Sequence, residues 1–379
     1  MFTLKQVPAE ASIADFHAVA KLVYKNDPDY IQPLTKDIEE VFDSTQNAAF
    51  EGGDIIRWVL YDGNNAIGRV AAFYQTKNNG ERMGGMGFFE CIESRDAAYT
   101  LFDACKNWLQ EKGLSYMDGP VNFGDRDSFW GLLVEKHSYP SYREAYQPNY
   151  YRGFFEDYGF EKIFEQKTCD ITYDVLNVER FGRLAGRALS NPKYRFVRLD
   201  YSRLDKFSAD FVRIYNEAWA HHEDFKPLTI EKMMARLKKV KPVLPSDFAV
   251  FAYADDRPIG FYVSILEVNQ VFRYFGGKLS VWNMLRFLWM RRNINKVRGI
   301  VFGVVPDFQN LGIETGMIMT FYECLKRKPQ ITVAELAWIG DFNPKMLSML
   351  ESLGAYTAKI HYTYRKIFLK TFGITQRNP

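Results

Sequence analysis

The chain repeats one order of elements at a nearly constant offset, and this repeat limits the folds open to it. A hairpin pattern in residues 55–75 recurs in 248–266, and a pattern of short helix, glycine and strand in 149–166 recurs in 343–366. Such self-similarity predicts two copies of one domain. The landmarks that carry the repeat are Gly68 and Gly260, Asn149 and Asn343, and Gly159 and Gly354, which lie 192, 194 and 195 residues apart.

Strand and helix patterns alternate within each copy, which predicts an α/β chain with an α+β type of mixed sheet. A length of 379 residues suits two domains. The boundary falls between the strand patterns at 168–173 and 195–201. We therefore expect an N-terminal domain over 1–175 and a C-terminal domain over 176–379, with a helix at 177–192 as the connector.

The two copies differ where the strand before the middle helix ends. In the second copy "GIVFGVVPDFQNLG" (299–312) reads as an apolar strand and a glycine loop that leads into the helix 313–329. The first copy enters its helix 95–113 without such a loop. Because the first N–H groups of a helix have no internal partner, a glycine loop there forms an anion site that suits a diphosphate. The second copy alone has this pattern.

Composition excludes several classes of protein. A hydrophobic content of 47% and a net charge of +3 indicate a globular chain with no basic footprint for nucleic acid. The N-terminus lacks an apolar signal segment and no run is long enough to span a bilayer, so we expect a cytoplasmic protein. The adjacent pair His221-His222 is no metal site. The scattered cysteines, which we expect to be buried reduced thiols, are Cys91, Cys105, Cys169 and Cys324.

The second copy resembles the GNAT superfamily of acyl-CoA N-acyltransferases. The residues that carry the resemblance are Val304, Val305, Pro306, Gln309 to Ile313, the strand 332–339, Asn343 and Gly354. The family loop has Arg or Gln, then Gly, then Gly or Ala; here these positions are Gln309, Gly312 and Glu314. The whole chain resembles a bacterial tandem-GNAT group, some members of which acylate long-chain amines such as sphingoid bases.

The resemblance implies two tandem GNAT-like domains, acetyl-CoA or a longer acyl-CoA as co-substrate, no metal, and a small-molecule or lipid amine as acceptor. The N-terminal domain would be a degenerate copy without its own cofactor. The residues that would hold the coenzyme are Val304, Val305, Gln309, Asn310, Leu311, Gly312, Ile313, Glu314 and Asn343.

Glu314 conflicts with this assignment. An acidic residue in the first turn stabilises a helix by about 0.3–1 kcal/mol. A carboxylate about 5 Å from a diphosphate would cost about 3 kcal/mol per charge pair. Either Glu314 faces away from the ligand or the loop binds coenzyme A poorly.

The catalytic residues are expected on two strands. Glu335 is either a carboxylate in an apolar wall, with a raised pKa that suits a general base, or a solvent-facing residue of an alternating strand. The resemblance places the usual general acid, a tyrosine, at Leu350. Tyr364 is our candidate replacement, with Tyr356 and Tyr362 nearby in sequence.

Three further residues have predicted roles. Asn343 precedes Pro344, which predicts a helix N-cap, and the resemblance adds a contact to the coenzyme arm. The resemblance also places Trp219 and His222 in the wall of the acceptor pocket.

Residues 271–299 are unusual because no Asp or Glu occurs between Val268 and Pro306 while basic and aromatic residues alternate. Leu285, Leu288 and Trp289 match an apolar helical stripe. The segment is either a basic amphipathic helix or a helix packed on the other domain. As an amphipathic helix, it would make peripheral contact with the inner membrane face or cover a lipid channel. The chain is thus an N-acyltransferase, a degenerate GNAT-like scaffold, or a lipid-surface binder.

Overall fold

A computed structural model describes residues 1–77, 79–124, 126–136, 139–174, 178–220 and 227–368. The chain forms two compact units. Unit 1 comprises residues 1–166, 276–278 and the chain from 359 onward, and unit 2 comprises 167–275 and 279–358. The units are therefore not two consecutive stretches of chain. The predicted domain boundary between residues 175 and 176 rests on sequence offsets and stays a prediction.

Unit 1 is built around a mixed sheet. Strands β1 to β4 are antiparallel neighbours, β5 is parallel to β4, and both β5 and β6 pair antiparallel with β13. The elements are β1 (Phe2–Val7), α1 (Ile13–Val23), α2 (Thr35–Glu39), β2 (Gly53–Asp62), β3 (Asn65–Thr76), β4 (Arg82–Cys91), α3 (Arg95–Glu111), β5 (Tyr116–Gly119), β6 (Leu132–Lys136), α4 (Tyr151–Tyr158) and most of β13 (Tyr356–Ile367).

Unit 2 has the same order of strands. Strands β8 to β11 are antiparallel neighbours, β12 is parallel to β11, and β7 lies next to β12. The elements are the second half of β7 (Glu161–Thr172), α5 (Val178–Ser190), β8 (Tyr194–Arg198), α6 (Leu204–Trp219), α7 (Ile230–Val240), β9 (Ala249–Ala254), β10 (Arg257–Leu266), α8 (Asn269–Phe272), α9 (Val281–Met290), β11 (Lys296–Val304), α10 (Ile313–Leu325), β12 (Val333–Gly340) and α11 (Pro344–Leu353).

The predicted repeat is confirmed at the level of elements. Helices α4 and α11 end at Gly159 and Gly354, whose φ angles of +88° and +89° lie in the left-handed region that glycine adopts without strain. The two copies differ in the strand that lies beside β5 in unit 1 and beside β12 in unit 2. The partner of β5 is β13, from the second copy, and the neighbour of β12 is β7, from the first copy. The copies thus exchange their last strands.

The middle helices pack through an apolar side onto the sheets. In α3, Ala98, Leu101, Phe102, Cys105 and Leu109 recur at helical spacing and are fully buried. In α10, Ile313 and Met317 are fully buried in the same way. This packing places the N-terminus of each middle helix at the end of the preceding strand. All four cysteines are free and buried, as predicted. In the described part of the chain, no helix is long and apolar enough to cross a membrane.

Candidate functional site

The loop between β11 and α10 begins where β11 leaves the sheet. The Val305 N–H donates to the Ile259 carbonyl at 2.9 Å, and one turn of 3-10 helix follows at Pro306–Phe308. The Gln309 side chain then folds back and donates from Nε2 to the Val304 carbonyl at 3.1 Å. The predicted residue Gln309 therefore fixes the path of the loop through a backbone contact.

The start of α10 leaves a row of backbone donors without protein acceptors. Asn310 and Gly312 have φ angles of +62° and +82°, and Gly312 is the N-cap without a side-chain cap. Among the described residues, none accepts a hydrogen bond from the backbone N–H groups of Asn310 to Thr315. Free backbone donors at a helix start attract anions, with the helix dipole adding to the effect. The predicted role of this loop in binding a diphosphate stays a prediction.

At the corresponding junction of unit 1, side chains engage part of the backbone. Ser94 caps α3 by accepting from the Ala97 N–H at 3.3 Å. Tyr150 donates to the Cys91 carbonyl at 2.9 Å, and the Cys91 N–H donates to the Tyr151 hydroxyl at 2.6 Å. The backbone groups at the end of β4 are therefore already engaged. The two junctions therefore differ, and the expectation that only the second copy holds a coenzyme stays a prediction.

A gap in strand pairing adjoins the loop. In the described chain, the parallel pairing of β11 with β12 covers Lys296–Gly299 against Val333–Leu336. The residues of β11 after this pairing, 301–304, pair with β10 along the edge of β11 that faces away from β12. The edge of β11 that faces β12 can therefore offer backbone groups to an extended ligand arm, as a strand edge does to a peptide.

Glu314 lies in the first turn of α10 and is half-buried. Within the described ranges, its carboxylate makes no hydrogen bond or ion pair. No cation offsets its charge there, so the two expectations for Glu314 both stay open to experiment.

Trp219 lies at the end of α6 and stacks on Phe261 of β10, with ring centroids 5.9 Å apart and planes 7° from parallel. A Cβ on Gly303 would approach the Trp219 ring to 2.4 Å, so this contact requires glycine at position 303. Trp219 thus covers the strand that leads into the loop. Its place in an acceptor pocket stays a prediction, and His222 lies outside the described residues.

Asn343 caps α11, as predicted. Its Oδ1 accepts from the Met346 N–H at 3.2 Å, and Pro344 follows at the first helical position. The side chain is exposed. The further contact with the coenzyme arm stays a prediction.

Glu335 belongs to a buried network of charges in unit 2. It is 0% exposed, and its carboxylate oxygens lie 2.6 Å from Lys296 Nζ and 3.2 Å from Arg298 Nε. Lys296 also donates to Asp170 Oδ2 at 2.9 Å. Burial alone would lower the pKa of Lys296, but the carboxylates of Glu335 and Asp170 raise it above its ordinary value.

The expectation that Glu335 faces solvent is therefore wrong, and its surroundings are charged instead of apolar. Arg298 and Glu335 lie opposite each other in the register of β11 and β12, which places both side chains on one face of the sheet. The two cations compensate the carboxylate and hold it in place. This favours a structural role for Glu335, and its role as a base stays a prediction.

The tyrosines expected to replace the general acid lie on β13. Tyr364 is 1% exposed in unit 1, and its hydroxyl donates to Glu156 Oε1 at 3.0 Å. Burial first and Glu156 second raise the pKa of Tyr364 above its ordinary value, which makes it a weaker acid. Leu350 is buried, as an apolar residue at that position should be.

A cavity of about 530 Å³ opens in unit 2 at the C-terminal end of α10, beside Tyr322, Leu325 and Lys326. It contains none of the residues predicted to bind the coenzyme or the acceptor. In the described chain, no cluster of three or more His, Cys, Asp or Glu could hold a metal ion.

Sequence reasoning missed a buried carboxylate in unit 1. Glu90 is 8% exposed and lines a cavity of about 60 Å³ together with Arg69 and Tyr146. Tyr24 and Tyr151 donate to its Oε2 at 2.8 and 2.9 Å, and Arg69 lies 3.7 Å from its Oε1. Burial raises the pKa of Glu90 to about 6, against the opposing effect of Arg69. No local pattern in the sequence marks this cluster.

Glu90 makes stability depend on pH. Because its pKa in the folded chain is about 6 and its ordinary value is 4.5, the folded chain retains a proton that the unfolded chain loses. The stability contributed by this group is full below pH 4.5 and falls, by about 2 kcal/mol, as pH rises to 6. In Glu90→Gln this loss should vanish, so that the variant gains about 2 kcal/mol relative to wild type between pH 4 and pH 7.

Denaturant unfolding over this pH range measures the difference. Glu111→Gln, which removes an exposed carboxylate of the same unit, is the matched control and should run parallel to wild type. If the free energy of unfolding of Glu90→Gln also varied with pH as in wild type, the raised pKa of Glu90 would be contradicted.

The chain matches no protein-family model. Protein YghO of Escherichia coli (strain K12) is 24% identical over 370 residues, which cover 93% of this chain and 92% of YghO. This likeness extends over both copies and carries no function.

Solved structures share the fold. One is the GCN5-related glucosamine N-acetyltransferase region of a fungal multi-domain GH3 beta-N-acetylglucosaminidase, with a TM-score of 0.59, 12% identity and coverage of 97% of this chain. This chain spans only 38% of that longer chain. Another is a tandem GNAT protein from the clavulanic acid biosynthesis pathway, solved without AcCoA, with a TM-score of 0.57, 10% identity and coverage of 97% and 98% of the two chains. At these identities the likeness concerns the fold alone.

Proposed function

We propose that this chain, which has the tandem GNAT fold, is an acyl-CoA-dependent N-acyltransferase whose coenzyme lies at the start of α10. The observation that carries the proposal is the row of N–H groups from Asn310 to Thr315, which have no acceptor among the described residues. They lie beside residues 301–304 of β11, for which the described chain shows no pairing with β12. The coenzyme would be acetyl-CoA or a longer acyl-CoA. At the corresponding junction of unit 1, Ser94 accepts from the Ala97 N–H, and Tyr150 and Tyr151 bind the backbone of Cys91.

The chemistry requires little of the protein besides positioning. A neutral amine attacks the thioester carbonyl, the C–N bond forms, and the C–S bond breaks with release of the thiolate. Because a thiol has a pKa near about 8.5, the thiolate can leave without a protein acid, which accommodates Leu350. The amine proton passes to water or a base. The loop donors would hold the diphosphate, the edge of β11 would hold the arm, and Trp219 would border the acceptor.

The acceptor is proposed to be a lipid-like amine. The resemblance to tandem-GNAT proteins that acylate long-chain amines supports this, and so does the exposed apolar helix α9 described below. A small-molecule amine is the alternative. Release of free thiol from acyl-CoA in the presence of a short or a long alkyl amine would separate the two acceptors, because only the long amine should be consumed if the proposal holds.

Calorimetric titration with coenzyme A, acetyl-CoA, octanoyl-CoA and palmitoyl-CoA tests the coenzyme site. We expect binding that Gly312→Val weakens at least about tenfold, because φ of +82° strains a β-branched residue and the new Cβ would lie 3.3 Å from the Leu184 carbonyl. The matched control is Ser94→Ala at the equivalent junction of unit 1, which should bind like wild type. Absence of binding by every ligand would reject the proposal.

A second candidate is a catalytically degenerate GNAT-like scaffold. It is favoured by Glu314, which no described cation offsets, and by Leu350 in place of the usual tyrosine. Coenzyme binding without turnover of any amine would support this candidate against the enzyme.

A further inference from the structure

Helix α9 exposes an unusual amount of apolar surface for a ten-residue element. Val281, Trp282, Leu285 and Trp289 are 77%, 81%, 53% and 61% exposed. Phe287 alone among its residues is buried, and it packs on Phe272 of α8 with ring centroids 5.7 Å apart. The helix is thus held to unit 2 by one side, while large apolar side chains occupy the other.

The exposed residues share one side of the helix. Trp282 and Trp289 are seven residues apart, and Leu285 and Leu288 lie between them at the spacing that places side chains above one another. The Leu285, Leu288 and Trp289 stripe predicted from sequence therefore exists, and it faces outward. Soluble proteins rarely leave such a contiguous patch without a partner.

Positive charge surrounds this patch. No Asp or Glu occurs between Val268 and Pro306, and Arg273, Arg286 and Arg292 are exposed. Arg292 lies over the Trp289 ring at 5.2 Å and Arg286 over the Tyr274 ring at 5.0 Å. The net charge of the whole chain is only +3, whereas this segment has basic residues and no acidic ones. Positive charge is therefore concentrated around the patch.

We propose that α9 docks the protein on the surface of an anionic lipid bilayer. A helix of ten residues is about 15 Å long and cannot span a membrane, but it can lie in the headgroup region with its apolar side toward the acyl chains. Tryptophan favours this interface. Each arginine near an anionic leaflet strengthens binding about fivefold. Charge complementarity selects an anionic lipid surface over a second copy of this chain, whose α9 carries the same positive charge.

Sedimentation with vesicles of phosphatidylcholine, with and without phosphatidylglycerol, tests this proposal. We expect binding only when phosphatidylglycerol is present, with a blue shift of tryptophan fluorescence. Trp282→Ala with Trp289→Ala should weaken binding at least about tenfold through lost apolar burial. Arg286→Glu with Arg292→Glu should weaken it about thirtyfold or more. Arg286→Lys with Arg292→Lys should retain it.

The matched control replaces two exposed leucines of another helix, Leu184 and Leu189 of α5, which are 52% and 46% exposed. Leu184→Ala with Leu189→Ala should bind vesicles like wild type. Thermal unfolding of each variant separates loss of binding from loss of fold. Equal binding to neutral and anionic vesicles would overturn the proposal, and so would no binding to either kind. It would also be overturned if the protein bound no vesicles but self-associated with rising concentration and the tryptophan variant abolished this self-association.

Discussion

Replacement of Lys296 by methionine is expected to lower the free energy of unfolding by about 3–5 kcal/mol, because it removes one partner from a buried ionic network. Lys296 is 4% exposed and lies between the carboxylates of Asp170 and Glu335, both buried. Without the ammonium, the carboxylates of Asp170 and Glu335 both lose a cation that lies 2.9 and 2.6 Å from them, respectively. Denaturant unfolding followed by tryptophan fluorescence measures the loss.

Two comparisons make this result specific. Lys296→Met with Asp170→Leu removes both partners of one pair and should recover at least half of the loss, which a double-mutant cycle quantifies. Arg183→Met breaks an exposed pair with Glu179, whose side chains are 73% and 83% exposed, and should cost less than about 1 kcal/mol. If Lys296→Met also cost less than about 1 kcal/mol, the network would not stabilise unit 2.

Glu314→Gln is expected to tighten coenzyme binding by about tenfold to a hundredfold. The residue lies in the first turn of α10, and no described cation offsets its carboxylate. Removal of one charge near a diphosphate relieves about 1–3 kcal/mol of repulsion. The same change removes a favourable charge from the start of a helix, so stability should fall by about 0.3–1 kcal/mol. Binding and stability should thus move in opposite directions.

Calorimetry with acetyl-CoA and thermal unfolding follow the two effects separately. Glu323→Gln is the matched control, because Glu323 lies on the same helix near its other end and pairs with Lys326 at 2.7 Å. It should leave affinity unchanged. Unchanged affinity in Glu314→Gln as well would mean that the carboxylate faces away from the ligand.

Local patterns were sufficient to predict most elements of this fold. The hairpins at 55–75 and 248–266 correspond to β2–β3 and β9–β10, and the middle helices start at Arg95 and Ile313. Turn residues, helix caps and apolar spacing act within a few residues, so the sequence displays them directly. The resemblance to GNAT proteins identified the shared fold on similarly local residues, above all Gln309 and Gly312.

The environment of single side chains was harder to predict, because it depends on distant partners. The sequence predicts either a solvent-facing or an apolar-wall position for Glu335, yet its carboxylate is paired with Lys296. Lys296 is itself bonded to Asp170, which is 126 residues away in sequence. The cluster around Glu90 has no local sequence signal, since its partners Tyr24 and Tyr151 lie 66 and 61 residues away. Only tertiary structure brings such groups together.

The exchange of last strands has a consequence for the order in which the chain can fold during synthesis. Arg365 of β13 and Asp118 of β5 pair although they are 247 residues apart. At a typical rate of about 5–20 residues per second, β5 must wait roughly 10–50 s for its partner to emerge from the ribosome. During that time the first half presents an open strand edge, which is a site for mispairing. Completion of the first sheet therefore depends on translation of the second copy.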